Sequence, residues 1–379
     1  AVSWVSYSVK YKNPQKYTLT VQRPTGDANK IFPQAEAGTF NGEYHFGCLS
    51  KDTLKLYDLR TGLTEQILKT VAFSFSAEHN FTATILKADR QLLLLEIRNR
   101  NGKVVYKQNG ITSYAFDAES NGVVLATTSE KNSKVEAILF KNKIIKKELT
   151  SSTKAVFKKL LWKTGSISFI ENDAGHCRIY YYNINQDKLS ILDSKVTSGF
   201  PSGMCISDDI LSNSIHTREG SKMILWLKET PDPTRVIDPK KVEIWNTQDK
   251  RIYSARKYLR DYKMSDKMVI WNVEENTALQ ITDKEFPRGF FSADYNYSFV
   301  YDPDAYEPQS RQYTPFDLYM VNLQTGTRKL IIKNYTMNQK PFGSPDGNYL
   351  CYAHKGQWWI YNAAKDNHIP ITDAENVFF

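Results

Sequence analysis

The sequence predicts an all-β fold: a β-propeller of about eight four-stranded blades, with seven as the alternative. Three observations predict it. Turn signals return at a near-constant interval, short aromatic-rich strand runs lie between them, and helix-forming stretches are scarce. Aromatics are 13% of the 379 residues, as 23 Tyr, 19 Phe and 7 Trp. Such residues suit pleated, half-buried surfaces, and stacked sheets need bulky filler between them.

The last unit shows the grammar most clearly. SPDGNYLCYA (344–353), KGQWWIYN (355–362), AAKDN (363–367) and HIPIT (368–372) read as turn, strand, link, strand, turn, strand. Pro345 presets φ, and Asp346-Gly347 suits the end of a type I turn. The same order recurs in 290–301 followed by 316–332, and in 72–86 followed by 91–107. It recurs again in 40–49 followed by 52–68, and in 114–128 followed by 135–149.

The second turn of each unit is a ruler. It falls at Gly26, Gly62, Gly102, Asn142, Asn185, Asn276, Gly326 and Asn367, at intervals of 36, 40, 40, 43, 91, 50 and 41 residues. A period near ~40–45 with four short strands is the signature of a propeller blade. The 91-residue gap holds only five or six strand-like runs, including 188–192, 223–227, 242–245 and 268–271. Pro231, Pro233 and Pro239 argue against central strands there. The gap therefore reads as one blade with a long insertion at about 229–266, which leaves residues 1–379 as a single propeller domain. A short helix is expected within the insertion at about 253–263.

Blade architecture sorts the loops. The SPDG and LQTG turns belong to the first-to-second and third-to-fourth strand links, on one side. The long connections, the insertion and 302–315, belong to second-to-third links on the other. Function concentrates on such long loops. Asp302, Asp304 and Glu307 suit either a cation or peptide amino group, or plain turn chemistry. Tyr306, Arg311 and Tyr313 make the same loop a contact surface. Arg251, Arg256 and Arg260 in the basic insertion suit an acidic partner or a C-terminal carboxylate, or a solvated loop.

Composition excludes several classes. Mean hydropathy is −0.50, and the longest apolar runs, such as QLLLLEI at 91–97, are strand-sized, so no membrane span is expected. The net charge of +9 is spread along the chain rather than concentrated with stacking partners, which argues against nucleic acid. Cys48, Cys177, Cys205 and Cys351 form no CxxC pair, and read as buried thiols with a Cys177–Cys205 disulfide left open. No two of the six histidines lie within four residues of each other, so HExxH is absent and neither metal nor cofactor is expected. G-x-S-x-G is missing, and SSTK at 151–154 lacks the companions that give S-x-x-K meaning. The chain by itself therefore shows no catalytic machinery. It opens directly on a strand-like run and closes on AENVFF, which reads as a segment of a longer chain or as one whose leader has been removed.

Four stretches carry a family resemblance: WVSYSV with YTLTVQRPTG, VEIWNTQDKRIYSARK (242–257), FDLYMVNLQTGTRKLII (316–332), and the 344–372 unit. Together they resemble the N-terminal propeller of prolyl oligopeptidase and dipeptidyl-peptidase IV type serine peptidases, in the version common in Bacteroidetes-like bacteria. The VEIWNTQD insertion is the most specific of them. The resemblance implies a non-catalytic propeller that gates substrate access and contacts an α/β-hydrolase domain absent from these 379 residues. It implies peptide substrates and a periplasmic or secreted location. No catalytic residue carries over, because no position matches one. The alternative is a stand-alone propeller that binds a protein or glycan.

Overall fold

The computed structural model describes the chain except residues 1–3, 11–16, 27, 36–37, 89–91, 120, 142, 164, 218–220, 232–261, 308–313, 337–340 and 373–379. Among the described residues it is all-β apart from two short 3-10 turns, Ile210–Asn213 and Tyr262–Met264. Eight antiparallel sheets follow one another along the chain, in the blade order of an eight-bladed β-propeller. The count is eight rather than seven. The chain divides into two compact units, residues 1–174 and 175–379.

In the first unit, β1 (Val5–Lys10), β2 (Tyr17–Gln22) and β3 (Asn29–Pro33) form a three-stranded sheet. The second sheet is β4 (Gly38–Asn41), β5 (His45–Ser50), β6 (Thr53–Asp58) and β7 (Thr64–Leu68). The third is β8 (Thr70–Phe75), β9 (Phe81–Lys87), β10 (Leu93–Asn99) and β11 (Val104–Asn109). The fourth is β12 (Ile111–Phe116), β13 (Gly122–Thr128), β14 (Ser133–Phe140) and β15 (Ile144–Ser152). Of the fifth sheet, β16 (Val156–Lys163) pairs with β17 (Ser166–Asp173) in this unit, and β18 (His176–Asn183) pairs with β19 (Lys188–Leu192) in the second.

Central strands are buried on both faces, so they read as continuous apolar runs rather than as alternations. Val123, Val124, Leu125 and Ala126 on β13 are all buried. Outer strands such as β15 expose most of their first half. The core of the unit lies between consecutive sheets. Phe46 of the second sheet packs on Phe32 of the first, with ring centroids 6.0 Å apart. Leu95 and Ile97 of the third pack with Val123 and Leu125 of the fourth. Gly47 on β5 permits one close approach: a methyl group there would lie 2.6 Å from the Phe73 ring and 2.9 Å from the Phe75 ring on β8.

In the second unit, β20 (Met204–Cys205) and β21 (Ile215–His216) both pair with β22 (Lys222–Glu229), which pairs in turn with β23 (Lys267–Asn272) and then β24 (Thr277–Gln280). The 91-residue interval therefore holds one enlarged sheet. Its long connection joins β22 to β23, and the expected helix at 253–263 falls almost wholly outside the described residues. Lys267, 1% exposed, helps fix the return of that connection by donating from Nζ to the carbonyls of Lys263 and Ser265 at 2.6 and 2.9 Å. The seventh sheet is β25 (Arg288–Phe291), β26 (Tyr297–Tyr301), β27 (Phe316–Asn322) and β28 (Arg328–Tyr335). The eighth is β29 (Phe342–Gly343), β30 (Tyr349–His354), β31 (Gln357–Asn362) and β32 (Asn367–Pro370). Fully buried Tyr335 meets Tyr352 of the next sheet edge to face, at 6.0 Å.

A side-chain device repeats at the last hairpin of most sheets. The strand ends on Asp or Asn, whose Oδ1 accepts the amides that the turn leaves unpaired. Asp58 accepts from Arg60 and Thr61, Asn99 from Asn101 and Lys103, and Asn183 from Asn185 and Gln186. Asn272 accepts from Glu274 and Glu275, Asn322 from Gln324 and Thr325, and Asn362 from Lys365. A left-handed residue closes each turn, such as Gly62, Gly102 or Gly326, or Asn276 or Asp366 in their place. At the first hairpin a Ser hydroxyl does the same work: Ser76, Ser292 and Ser344 accept from the amides of Phe81, Tyr297 and Tyr349.

All four cysteines are free, Cys48 and Cys177 buried and Cys205 and Cys351 partly so. The Cys177 thiol donates to Asp208 at 3.2 Å rather than bonding to Cys205. Burial pushes the Cys48 thiol up to about 11.

Replacing Gly47 by Ala is expected to destabilise the fold by about 1–3 kcal/mol through overpacking. Asn322→Ala should cost about 1 kcal/mol. Denaturant melts of both variants check the order. Four titratable thiols are expected in denaturant without added reductant, with Cys48 the slowest to react in the folded protein; a count below four would reveal a disulfide.

Candidate functional site

Four of the nine residues proposed from sequence are described, and one loop of the seventh sheet carries them. It joins β26 to β27, the same link that is long between β22 and β23. At its base, the Tyr301 ring stacks on Phe316 at 4.1 Å. Asp302 Oδ1 accepts the amide of Asp304 at 2.9 Å, and the Asp302 carbonyl accepts the amide of Ala305. The Asp304 carbonyl accepts the amide of Glu307, and Asp304 itself is buried. Glu307 Oε1 accepts the Thr314 hydroxyl at 3.1 Å. The Asp302 carboxylate caps the turn and that of Glu307 holds Thr314, and among the described residues no cation site is assembled.

Tyr306 is the outward element of this loop, at 39% exposure. Its hydroxyl donates to Asp317 Oδ1 at 2.9 Å, and the same oxygen accepts the Asn334 amide at 2.8 Å. That hydrogen bond to a carboxylate raises the Tyr306 phenol above its ordinary pKa. The pairing of β27 with β28 shifts register between Phe316 and Leu318, the bulge on which Asp317 sits. Arg311 and Tyr313, and Arg251, Arg256 and Arg260 of the insertion, lie outside the described residues.

The other chemical candidates have structural partners. In SSTK the serine of the S-x-x-K pattern is Ser151, an exposed residue of β15 paired with Lys134, while the neighbouring Ser152 Oγ accepts the amides of Lys154 and Ala155 in a turn. His79 Nδ1 meets Asn41 Oδ1 at 2.9 Å, His176 Nε2 meets Asp193 Oδ1 at 3.1 Å, and His368 Nδ1 meets the Tyr352 hydroxyl at 2.7 Å. His216 lies against the Tyr181 ring and His354 against Tyr335.

His45 faces a polar groove in the first unit that sequence reading did not find, and His79 lines the same groove. The groove holds about 360 Å³ and lies where the hairpin turns of the second and third sheets meet. Arg60, Arg98 and Arg100 line it with Asp58, Glu65, His45 and His79. The turn device places these cations: Arg60 follows Asp58 by two residues, and Arg98 and Arg100 flank Asn99. Tyr44 takes both Arg60 and Arg100 against its ring, at 5.2 and 4.6 Å to the centroid. Arg100 is further fixed by the carbonyls of His79 and Glu78, at 3.2 and 3.3 Å. Arg98 pairs with buried Glu96 at 2.7 Å and approaches Glu65 at 3.8 Å. Its Nε is buried with no hydrogen-bond partner among the described residues. Burial lowers the His45 imidazole below its ordinary pKa; Asp58 and Glu65 oppose that shift and Arg60 adds to it. The one signal available beforehand was the recurrence of Asp or Asn at strand ends with arginine beside it.

No family model and no curated protein sequence matches the chain. Solved structures do. A eukaryotic initiation factor aligns over 98% of this chain and 88% of its own, at 11% identity and a TM-score of 0.44. The β-propeller domain of the trilobed protease from Pyrococcus furiosus aligns over 89% and 96%, at 10% identity and 0.36. A prolyl endopeptidase aligns over 95% of this chain but 53% of its own, at 9% identity and 0.41. The propeller assignment rests on the strand order above.

Three histidines, His45, His354 and His368, are held below their ordinary pKa, in each case first by burial. The folded state then binds fewer protons than the unfolded one between the folded pKa values and 6.5. Stability from these groups is complete above about pH 6.5 and is lost as pH falls through that window. Urea melts between pH 7.5 and 5 (roughly the range where histidine titrates) are expected to show this decline, with a shallower slope in His45→Gln.

Proposed function

We propose that the chain is the non-catalytic propeller of a prolyl oligopeptidase-type serine peptidase, secreted or periplasmic. It contacts an α/β-hydrolase domain and filters peptide substrates for it. The observation that carries this reading is topological. The two longest connections fall at the same link of adjacent sheets, β22 to β23 and β26 to β27, which suits one elaborated surface opposed to the tight hairpins. Tyr306, anchored through Asp317 with an exposed ring, supports a contact role. The resemblance of 242–257, 316–332 and 344–372 to such propellers supports it from the sequence side. The basic insertion with Arg251, Arg256 and Arg260, and Arg311 with Tyr313, complete the proposed surface.

A second reading, a stand-alone propeller that binds a protein or glycan, draws on the polar groove between the second and third sheets. That groove is built from tight turns and owes nothing to the long connections.

The chain of 379 residues is expected to release no product from Xaa-Pro chromogenic peptides. Turnover that a serine-directed inhibitor abolishes would overturn the non-catalytic assignment. The reading frame of the gene is expected to encode a G-x-S-x-G hydrolase segment in the same polypeptide. A frame without one would favour the stand-alone reading, and a binding partner lost on deleting 229–266 would then identify the long connections as its surface.

A further inference from the structure

The groove of the second and third sheets offers more cationic donors than its own carboxylates use. Asp58 is largely spent on its turn: Oδ1 accepts two amides, and Oδ2 reaches Arg60 only at 3.7 Å. Arg60 is 63% exposed at its side chain. Arg100 commits Nε and Nη2 to backbone carbonyls. Both guanidiniums face the one Tyr44 ring, and a stacked guanidinium keeps its in-plane N–H groups for a ligand. Arg98 spends Nη1 on the Gly102 carbonyl and Nη2 on Glu96, and its buried Nε has no hydrogen-bond partner among the described residues. Two like charges drawn to one ring, with an unused donor alongside, call for an anion.

The balance of charge selects which anion. Three arginines against Asp58 and Glu65, with Glu96 behind Arg98 shared by Lys107, leave a single positive charge. That matches one carboxylate better than a phosphate dianion, which Asp58 and Glu65 would repel. The planar carboxylate also fits the guanidinium fork. The volume, about 360 Å³, suits a molecule of amino-acid or dipeptide size. Glu65, half-exposed, can receive an ammonium on the far side.

We propose that this groove binds a small carboxylate, held by Arg60, Arg98 and Arg100, either as a free amino acid or as the C-terminus of a short peptide. The site is independent of any hydrolase domain and goes beyond the peptidase reading.

Calorimetric titration of the 379-residue chain with alanine, N-acetylalanine, Ala-Ala, Ala-Ala amide and inorganic phosphate tests it. Saturable binding is expected for the carboxylates by about 10 mM, with none for the amide. Alanine binding tighter than N-acetylalanine identifies the free amino acid, through Glu65; the reverse order identifies a peptide terminus. Arg60→Gln should weaken binding at least about tenfold, and Arg60→Lys, which keeps the charge without the fork, by less. Arg60 is exposed, and an unchanged melting temperature confirms the fold of both variants. Three results would each overturn the proposal: no saturable carboxylate binding, equal binding of the amide or tighter binding of phosphate, or binding indifferent to Arg60→Gln.

Discussion

Each sheet of this protein has two apolar faces, and almost everything else follows from the need to cover both. A meander of four strands cannot bury its central pair alone. Leu95 and Ile97 are sealed only because Val123 and Leu125 of the next sheet lie against them, and Leu318 and Tyr335 are sealed together with Leu350 and Tyr352. Within each unit such neighbouring sheets are therefore both core and cover. That requirement sets the ~40-residue repeat, the weight of aromatics, and the few places where no side chain fits, such as Gly47 under Phe73 and Phe75.

Close stacking of sheets demands short hairpins, and short hairpins strand amide donors. Asp58, Asn99, Asn183, Asn272, Asn322 and Asn362 meet that demand with the same Oδ1 contact. The solution has a chemical by-product. Residues next to the capping side chain are held in fixed directions, and in the second and third sheets those residues are Arg60, Arg98 and Arg100. A structural turn motif thus becomes the scaffold of the polar groove. The long connections work differently. Of the acidic residues that suggest a cation in sequence, Asp302 uses its carboxylate on the loop's own Asp304 amide and Glu307 uses its on Thr314, while Asp304 accepts the Glu307 amide through its backbone carbonyl.

Much of the fold was legible because blade periodicity is a local signal. Gly62, Gly102 and Gly326 mark their turns by needing positive φ, and prolines at 231, 233 and 239 separate an insertion from a strand array. The single enlarged sheet in the 91-residue interval could be inferred on that ground. That interval also holds the short strand Met204–Cys205 and the 3-10 turn Ile210–Asn213. The groove was not legible. His45, Glu65 and Arg98 are separated by 53 residues at the extremes, and no spacing rule joins them. Sheet stacking joins them.

By itself the sequence determined the class of element, the blade period, the position of the insertion and the absence of familiar catalytic motifs, because each depends on neighbours along the chain. Only the tertiary structure decided which charges meet. It tied Tyr306 to Asp317 across a bulge, set Arg60 and Arg100 against one tyrosine, and left Arg98 Nε without a partner among the described residues. Those outcomes depend on how one sheet lies on the next, and side chains brought together by packing leave no periodic trace in the order of residues.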